Sequence, residues 1–150
     1  MTVREDALAI WRAALSAGDV GPLVRRALRF DGTVLQAGTS RLDLGQVRRV
    51  FVLGFGKAAA PMSAAVESIL GSRIHAGFAV VKDGYRARTT TVEIVEAGHP
   101  VPDARGEAAA SRLLALASEA TADDLVIVLV SGGGSALTPA PVTGVTLAEK

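Results

Sequence analysis

The sequence predicts an α/β fold with a mainly parallel sheet flanked by helices. Three observations support this. First, Val50-Phe51-Val52-Leu53, Phe78-Ala79-Val80-Val81 and Leu125 to Val130 are short, continuous apolar runs bounded by glycine or acidic turns, the pattern of strands buried on both faces. Second, helical periodicity separates two of these runs and precedes the third, which implies right-handed crossovers between parallel strands. Third, both glycine loops, 54–56 and 131–135, directly follow such runs. Parallel sheets bind ligands at these carboxyl ends.

Composition narrows the function classes. The chain has 150 residues, with 16 Lys+Arg against 15 Asp+Glu and a net charge of +1. That balance excludes a strongly electrostatic, phosphate-coating nucleic-acid binder. An apolar fraction of 49% argues against disorder. With no cysteine there is no disulfide framework, zinc thiolate site or Cys nucleophile, which fits a reducing cytoplasm. Glu5 and Asp6 precede any apolar run, so the start does not resemble a secretory signal. Leu125 to Val130 is too short to span a bilayer. Thirteen of the basic residues are Arg and only Lys57, Lys82 and Lys150 are Lys, which draws attention to those three.

The elements follow in order. Ala7, Leu8, Trp11, Ala14 and Leu15 recur at helical spacing up to Gly18, and a second helix starts near Asp19 or Gly21 with Pro22 in its first turn. The pair is expected to cover a neighbouring sheet. Asp31-Gly32-Thr33 marks a turn before a short extended piece at Val34-Leu35, and residues 39–46 are polar and turn-rich. The strand at 50–53 leads into a small-residue helix from about Ala58 to Leu70, stopped by Gly71. Thr89 to Val95 is a further strand. Residues 105–119 form a helix with Ala109, Leu113, Leu116 and Ala117 on one face and Asp103 as its cap. After Pro139, Pro141 and Gly144, Val145 to Lys150 looks like a helix just starting at Thr146. A helix of one turn is unstable alone, so the chain is expected to be the front part of something longer.

Three segments carry chemistry. Gly54-Phe55-Gly56-Lys57-Ala58-Ala59 joins a strand to a helix, an arrangement that directs backbone N–H groups at an anion. Lys57 at that helix start opposes the dipole, and an anionic partner would compensate it. The P-loop pattern fails, because Ala58 follows Lys57 and the glycine spacing is wrong. The dinucleotide pattern half fits through Gly54, Gly56 and Ala59, with Asp83 as a ribose ligand. Ser131-Gly132-Gly133-Gly134-Ser135 offers consecutive unhindered N–H groups and two hydroxyls, material for a phosphate nest. It is not a nucleophile elbow. In Glu96-Ala97-Gly98-His99-Pro100-Val101-Pro102-Asp103, His99 is a substrate contact, a proton relay or an orienting hydrogen bond, or else a loop histidine capping the sheet edge. His75 has no acidic partner and reads as structural, and no His/Asp/Glu spacing suits a protein-built metal site.

In this order these segments, with Val80-Val81-Lys82-Asp83-Gly84 and the continuation Ala136-Leu137, resemble the glycerate 2-kinase family, also called the MOFRL or class-II glycerate kinase family. The resemblance implies a Rossmann-like N-terminal domain, here residues 1–150 and incomplete, with a C-terminal domain lacking from this chain. It implies ATP-dependent phosphorylation of D-glycerate to 2-phosphoglycerate with Mg²⁺. Lys57 matches the active-site lysine, and Gly54, Gly56, His99 and Ser131 to Ser135 are the substrate- or phosphate-binding candidates. The expected partners are D-glycerate and ATP, without nucleic acid or membrane, and a homo-oligomer is compatible with this. Two alternatives stay open: an NAD(P)H-dependent hydroxypyruvate reductase and a non-catalytic anion-binding fragment. Half a cleft should not catalyse well, so the chain alone is expected to be inactive.

Overall fold

The computed structural model describes residues 2–150. Two helices, α1 (Val3–Ala17) and α2 (Val20–Ala27), precede a small antiparallel sheet of β1 (Leu28–Phe30), β2 (Val34–Ala37) and β3 (Ser40–Asp43). The main sheet is built from β4 (Val50–Phe55), β5 (Ile74–Lys82), β6 (Val92–Ala97) and β7 (Leu125–Val130). Helix α3 (Ala59–Leu70) links β4 to β5, and α4 (Ala104–Ser118) links β6 to β7. A single-turn helix, α5 (Gly134–Leu137), follows β7. All three pairings of the main sheet are parallel, in the order β6-β5-β4-β7.

Strand alternation builds two cores, one on each face of this sheet. Val50, Val52, Ala79, Val81 and Ile94 pack under α3 with Ala59, Ala60, Val66 and Leu70. Leu53, Phe78 and Val80 pack under α4 and α5 with Ala109, Leu113 and Leu137. The small residues of α3 have a steric reason: a Cβ on Gly54 would lie 2.9 Å from the Ala79 methyl and 3.4 Å from that of Ala59. Helix and sheet backbones therefore approach closely.

The local signals mostly act as expected. Asp19 caps α2 through the Gly21 N–H, Asp103 caps α4 through the Gly106 N–H, and Gly71 ends α3 at a φ of +52°. Thr146 and Glu149 exchange backbone-to-side-chain hydrogen bonds in capping-box fashion, although no helix is formed there.

Four expectations need correction. Residues 39–46 are not merely a turn. Ala37 pairs with Ser40 across Gly38-Thr39, making β3 the second arm of a hairpin, and 44–46 form a 3-10 turn. The strand expected at Thr89 to Val95 runs from Val92 to Ala97, because the Glu67 carboxylate binds the Thr90 and Thr91 amides and holds that segment as a loop. Helix α1 does not cover the sheet. None of its residues is buried, with Ile10 72% and Trp11 59% exposed, and only α2 packs, onto α3. Strand β7 is an edge strand, not a buried one, so Val128 and Val130 remain more than half exposed.

The entry into β7 is held by one carboxylate. Asp124 has a fully buried side chain and accepts from Arg48 Nε and Nη2, from Arg49 Nε and Nη2 (2.7 Å), and from the Thr121 N–H. Arg49 first, then Arg48, holds its carboxyl far below the ordinary range. A depressed folded-state pKa stabilises above the unfolded value of about 3.9 and is lost as pH falls through the folded one. Asp124→Asn is therefore expected to lower the melting temperature at neutral pH. The gap to wild type should narrow below about pH 4, as melts across a pH series would record.

Candidate anion site at the sheet switch point

Chain direction reverses its lateral progress between β4 and β7. From β4 the sheet grows one way, to β5 and β6, and β7 adds on the other side. A doubly wound sheet opens a crevice at the carboxyl ends of two such strands. The loop after β4 and the loop after β7 meet there.

Three hydrogen bonds join the loops. The Ser131 N–H donates to the Phe55 carbonyl (3.1 Å) and the Lys57 N–H to the Gly132 carbonyl (3.0 Å). The Ala58 N–H donates to Ser131 Oγ (2.9 Å). In addition, the Gly56 N–H binds the Val80 carbonyl and the Ala59 N–H binds the Gly56 carbonyl. Every amide from Gly56 to Ala59 is thus spent inside the protein. The first glycine loop does not direct its N–H groups at an anion as its sequence suggests; it is a braced platform for Lys57.

The second loop has the free donors. Among the described residues, the amides of Gly132, Gly133, Gly134 and Ser135 donate to no protein acceptor. Gly133 adopts a φ of +94°, where a side chain would be strained. A Cβ there would also lie 2.9 Å from His99 Cδ2 and Nε2 and 3.3 Å from Lys57 Cγ. His99 and the Lys57 stem therefore both rest against this glycine. Lys57, Gly132 and Ser135 are exposed, while His99 is half-buried. Gly134 is buried under the Phe55 ring, and Gly54 lies inside β4. Lys57, His99 and Gly133, far apart in the sequence, thus meet beyond the carboxyl ends of β4 and β7.

One cluster nearby was not foreseen. Arg105, in the first turn of α4, binds both oxygens of Asp83 (2.8 and 2.9 Å) and Oδ2 of Asp103 (2.8 Å). Its hydrogen bonds hold the Asp83 carboxyl below the usual range. Burial opposes the same shift at Asp103, but the Gly106 N–H and Arg105 outweigh it. The signal was present in the sequence. A cation at a helix start opposes the dipole, as for Lys57, and here two carboxylates compensate it. His75 is exposed and sets its ring edge-on to Phe51, with centroids 5.4 Å apart. Among the described residues no three His, Asp or Glu side chains cluster as metal ligands. No helix among them is long and apolar enough to cross a membrane.

Comparison with known proteins gives this site a context. Glycerate 2-kinase of Pyrococcus horikoshii is 35% identical over 150 residues, covering 99% of this chain and 33% of the relative. Human glycerate kinase is 37% identical over 166 residues, covering all of this chain and 31% of the relative. A provisionally named hydroxypyruvate reductase of Agrobacterium vitis is 41% identical over 102 residues, covering 68% of this chain and 26% of that protein. A crystal structure of a Pyrococcus horikoshii protein superposes with a TM-score of 0.86 at 33% identity, covering 99% of this chain and 33% of that one. The chain spans about a third of the length of the glycerate kinases it matches. Residues 6–150 match the family model described as a domain of unknown function, DUF4147. With nearly its whole length inside that match, the chain belongs to the DUF4147 family, the N-terminal domain of glycerate kinases.

Proposed function

We propose that this chain is the N-terminal, Rossmann-like domain of an enzyme that phosphorylates D-glycerate with ATP, giving 2-phosphoglycerate. The observation that carries the reading is the convergence at Gly133. The Lys57 stem and the His99 ring flank it, beside four consecutive amides that donate to no protein acceptor among the described residues. An ammonium with adjacent N–H donors suits a carboxylate or a phosphoryl group in flight, where charge must be neutralised from several directions. Lys57 neutralises that charge, the amides of 132–135 cradle an anionic group, and His99 orients the substrate.

The residues on hand do not form a Mg²⁺ site of their own, since no metal-ligand cluster exists among the described residues. The metal belongs with the ATP phosphates. The opposite wall of the cleft comes from a C-terminal domain outside this chain. The relatives' threefold greater length and the open, apolar edge of β7 support that division. The cytoplasm is the compartment that the cysteine-free composition fits.

The two residue features behind the reductase alternative are engaged within the protein, which leaves it the likeness to relatives named as hydroxypyruvate reductases. The amides that would hold a pyrophosphate are spent on Val80, Ser131, Gly132 and Gly56. Both oxygens of Asp83, the ribose candidate, are taken by Arg105. The direct test is a coupled assay on the full-length protein with D-glycerate, ATP and Mg²⁺. Glycerate-dependent ADP release is expected from the full-length protein and not from the 150-residue chain. Turnover by the chain alone would refute the two-domain reading. NADH oxidation with hydroxypyruvate in place of ADP release would reinstate the reductase.

A further inference from the structure

We infer that Ser131 is a positioning residue, a latch that ties the amide at the start of α3 to the other loop and thereby holds Lys57 against Gly133. The inference rests on reading Lys57 and the 132–135 amides as an anion site, and it gives Ser131 a separate task within it.

The start of α3 lacks its own cap. Ala58 occupies the N-cap position and offers no side-chain acceptor to the helix amides. A Ser, Thr, Asp or Asn in that place would satisfy one of them locally. One amide at the helix start, that of Ala58 itself, is instead satisfied from 73 positions away, donating to Ser131 Oγ at 2.9 Å. The serine hydroxyl keeps its own proton to donate.

The surroundings are shaped for this contact. Gly56 stands where a Cβ would be 2.4 Å from Ser131 Oγ and 2.3 Å from its carbonyl oxygen. Any side chain at 56 would expel the hydroxyl from its place. Main-chain bonds bracket it on both sides, Ser131 N–H to the Phe55 carbonyl and Lys57 N–H to the Gly132 carbonyl. Lys57 lies between the bond made by its own amide and the one made by the next. Its backbone is pinned to the second loop at two successive residues, and its stem then lies over Gly132 and Gly133.

The consequence is a coupling. The amides of 132–135 and the Lys57 ammonium belong to chain segments that, among the described residues, one side-chain hydrogen bond joins, that of Ser131. With the latch closed, an anion on the second loop finds Lys57 already in place. With it open, the ammonium swings free on its four-carbon stem, and the same amides bind without it.

The test uses the full-length protein, selectively labelled at Ala, Gly, Lys and Ser, and NMR on wild type, Ser131→Ala and Ser131→Thr. In wild type and Ser131→Thr, a nuclear Overhauser contact between the Lys57 side chain and the Gly133 α-protons is expected, with slow exchange of the Ala58 amide. In Ser131→Ala the contact should vanish and Ala58 exchange should quicken about tenfold, the loss of one hydrogen bond. Retention of the Lys57–Gly133 contact in Ser131→Ala would overturn the latch. If Ser131→Ala does not fold, Ser131→Cys keeps the bulk with a much weaker acceptor and is judged by the same contact.

Titration with inorganic phosphate separates the latch from the reading beneath it. Wild type should shift the Gly132–Ser135 amides and the Lys57 side chain together, whereas Ser131→Ala should shift the amides alone. No amide shift in wild type would refute the anion reading, and the latch would still be decided by the Lys57–Gly133 contact.

Discussion

Replacing Lys57 by alanine in the full-length protein is expected to lower glycerate-dependent ADP release by about a hundredfold to a thousandfold, the cost of losing one preorganised charge partner. The fold should survive unchanged. Lys57 is exposed, forms no ion pair among the described residues, and contributes only its stem to packing against Gly132 and Gly133. Lys57 stands just before the N-cap of α3, where the helix dipole disfavours a cation by about 0.3–1 kcal/mol. Removing it should therefore leave the melting temperature equal to wild type or slightly higher. A residue that is mildly unfavourable for the fold and costly to remove for turnover is one retained for chemistry. Steady-state kinetics and a thermal melt on the same preparation decide the matter. Unchanged kinetics would remove Lys57 from the site. A fall in both activity and stability would mean that its stem packing matters more than its charge.

What the sequence revealed, and what it concealed, divides along the range of the interactions. Strands β4 and β5 and helix α4 were legible because burial on both faces, or on one helical face, writes a pattern into consecutive residues. Strand β3 was not. Ser40, Arg41 and Asp43 are exposed and polar, and only the pairing of Ala37 with Ser40 across the Gly38 turn makes them a strand. Apolarity alone also failed to say what covers a surface. Helix α1 has an apolar arc and β7 is wholly apolar, yet the first is unburied and the second is an edge. The same limit applied at the site. Lys57, His99 and the 131–135 loop were each recognisable from residue type, glycine content and position after a strand. That the first loop has no amide to spare was invisible, because its acceptors lie at residues 80, 131 and 132.

The largest stability effect is expected at Gly56. Alanine there meets two independent penalties. The first is conformational: a φ of +115° lies where an L-residue is strained, at a cost of about 1–3 kcal/mol. The second is steric, since the new methyl would sit 2.3 Å from the Ser131 carbonyl oxygen, backbone of a residue whose own N–H is hydrogen-bonded to Phe55 in the neighbouring loop. Relief requires the two loops to part, which breaks the Ala58–Ser131 bond and displaces Lys57 from Gly133. Together the penalties should reach about 4 kcal/mol, enough to unfold a marginal domain. Gly32 supplies the control. Its φ is +101°, but a Cβ there has no neighbour within 4 Å, so Gly32→Ala bears the conformational penalty alone. Urea unfolding of both variants measures the difference. If Gly56→Ala costs no more than Gly32→Ala, the loops are not locked together. A much larger cost at Gly56 means that the contact between them is rigid, and only a rigid contact can hold the Lys57 ammonium in place before any anion arrives.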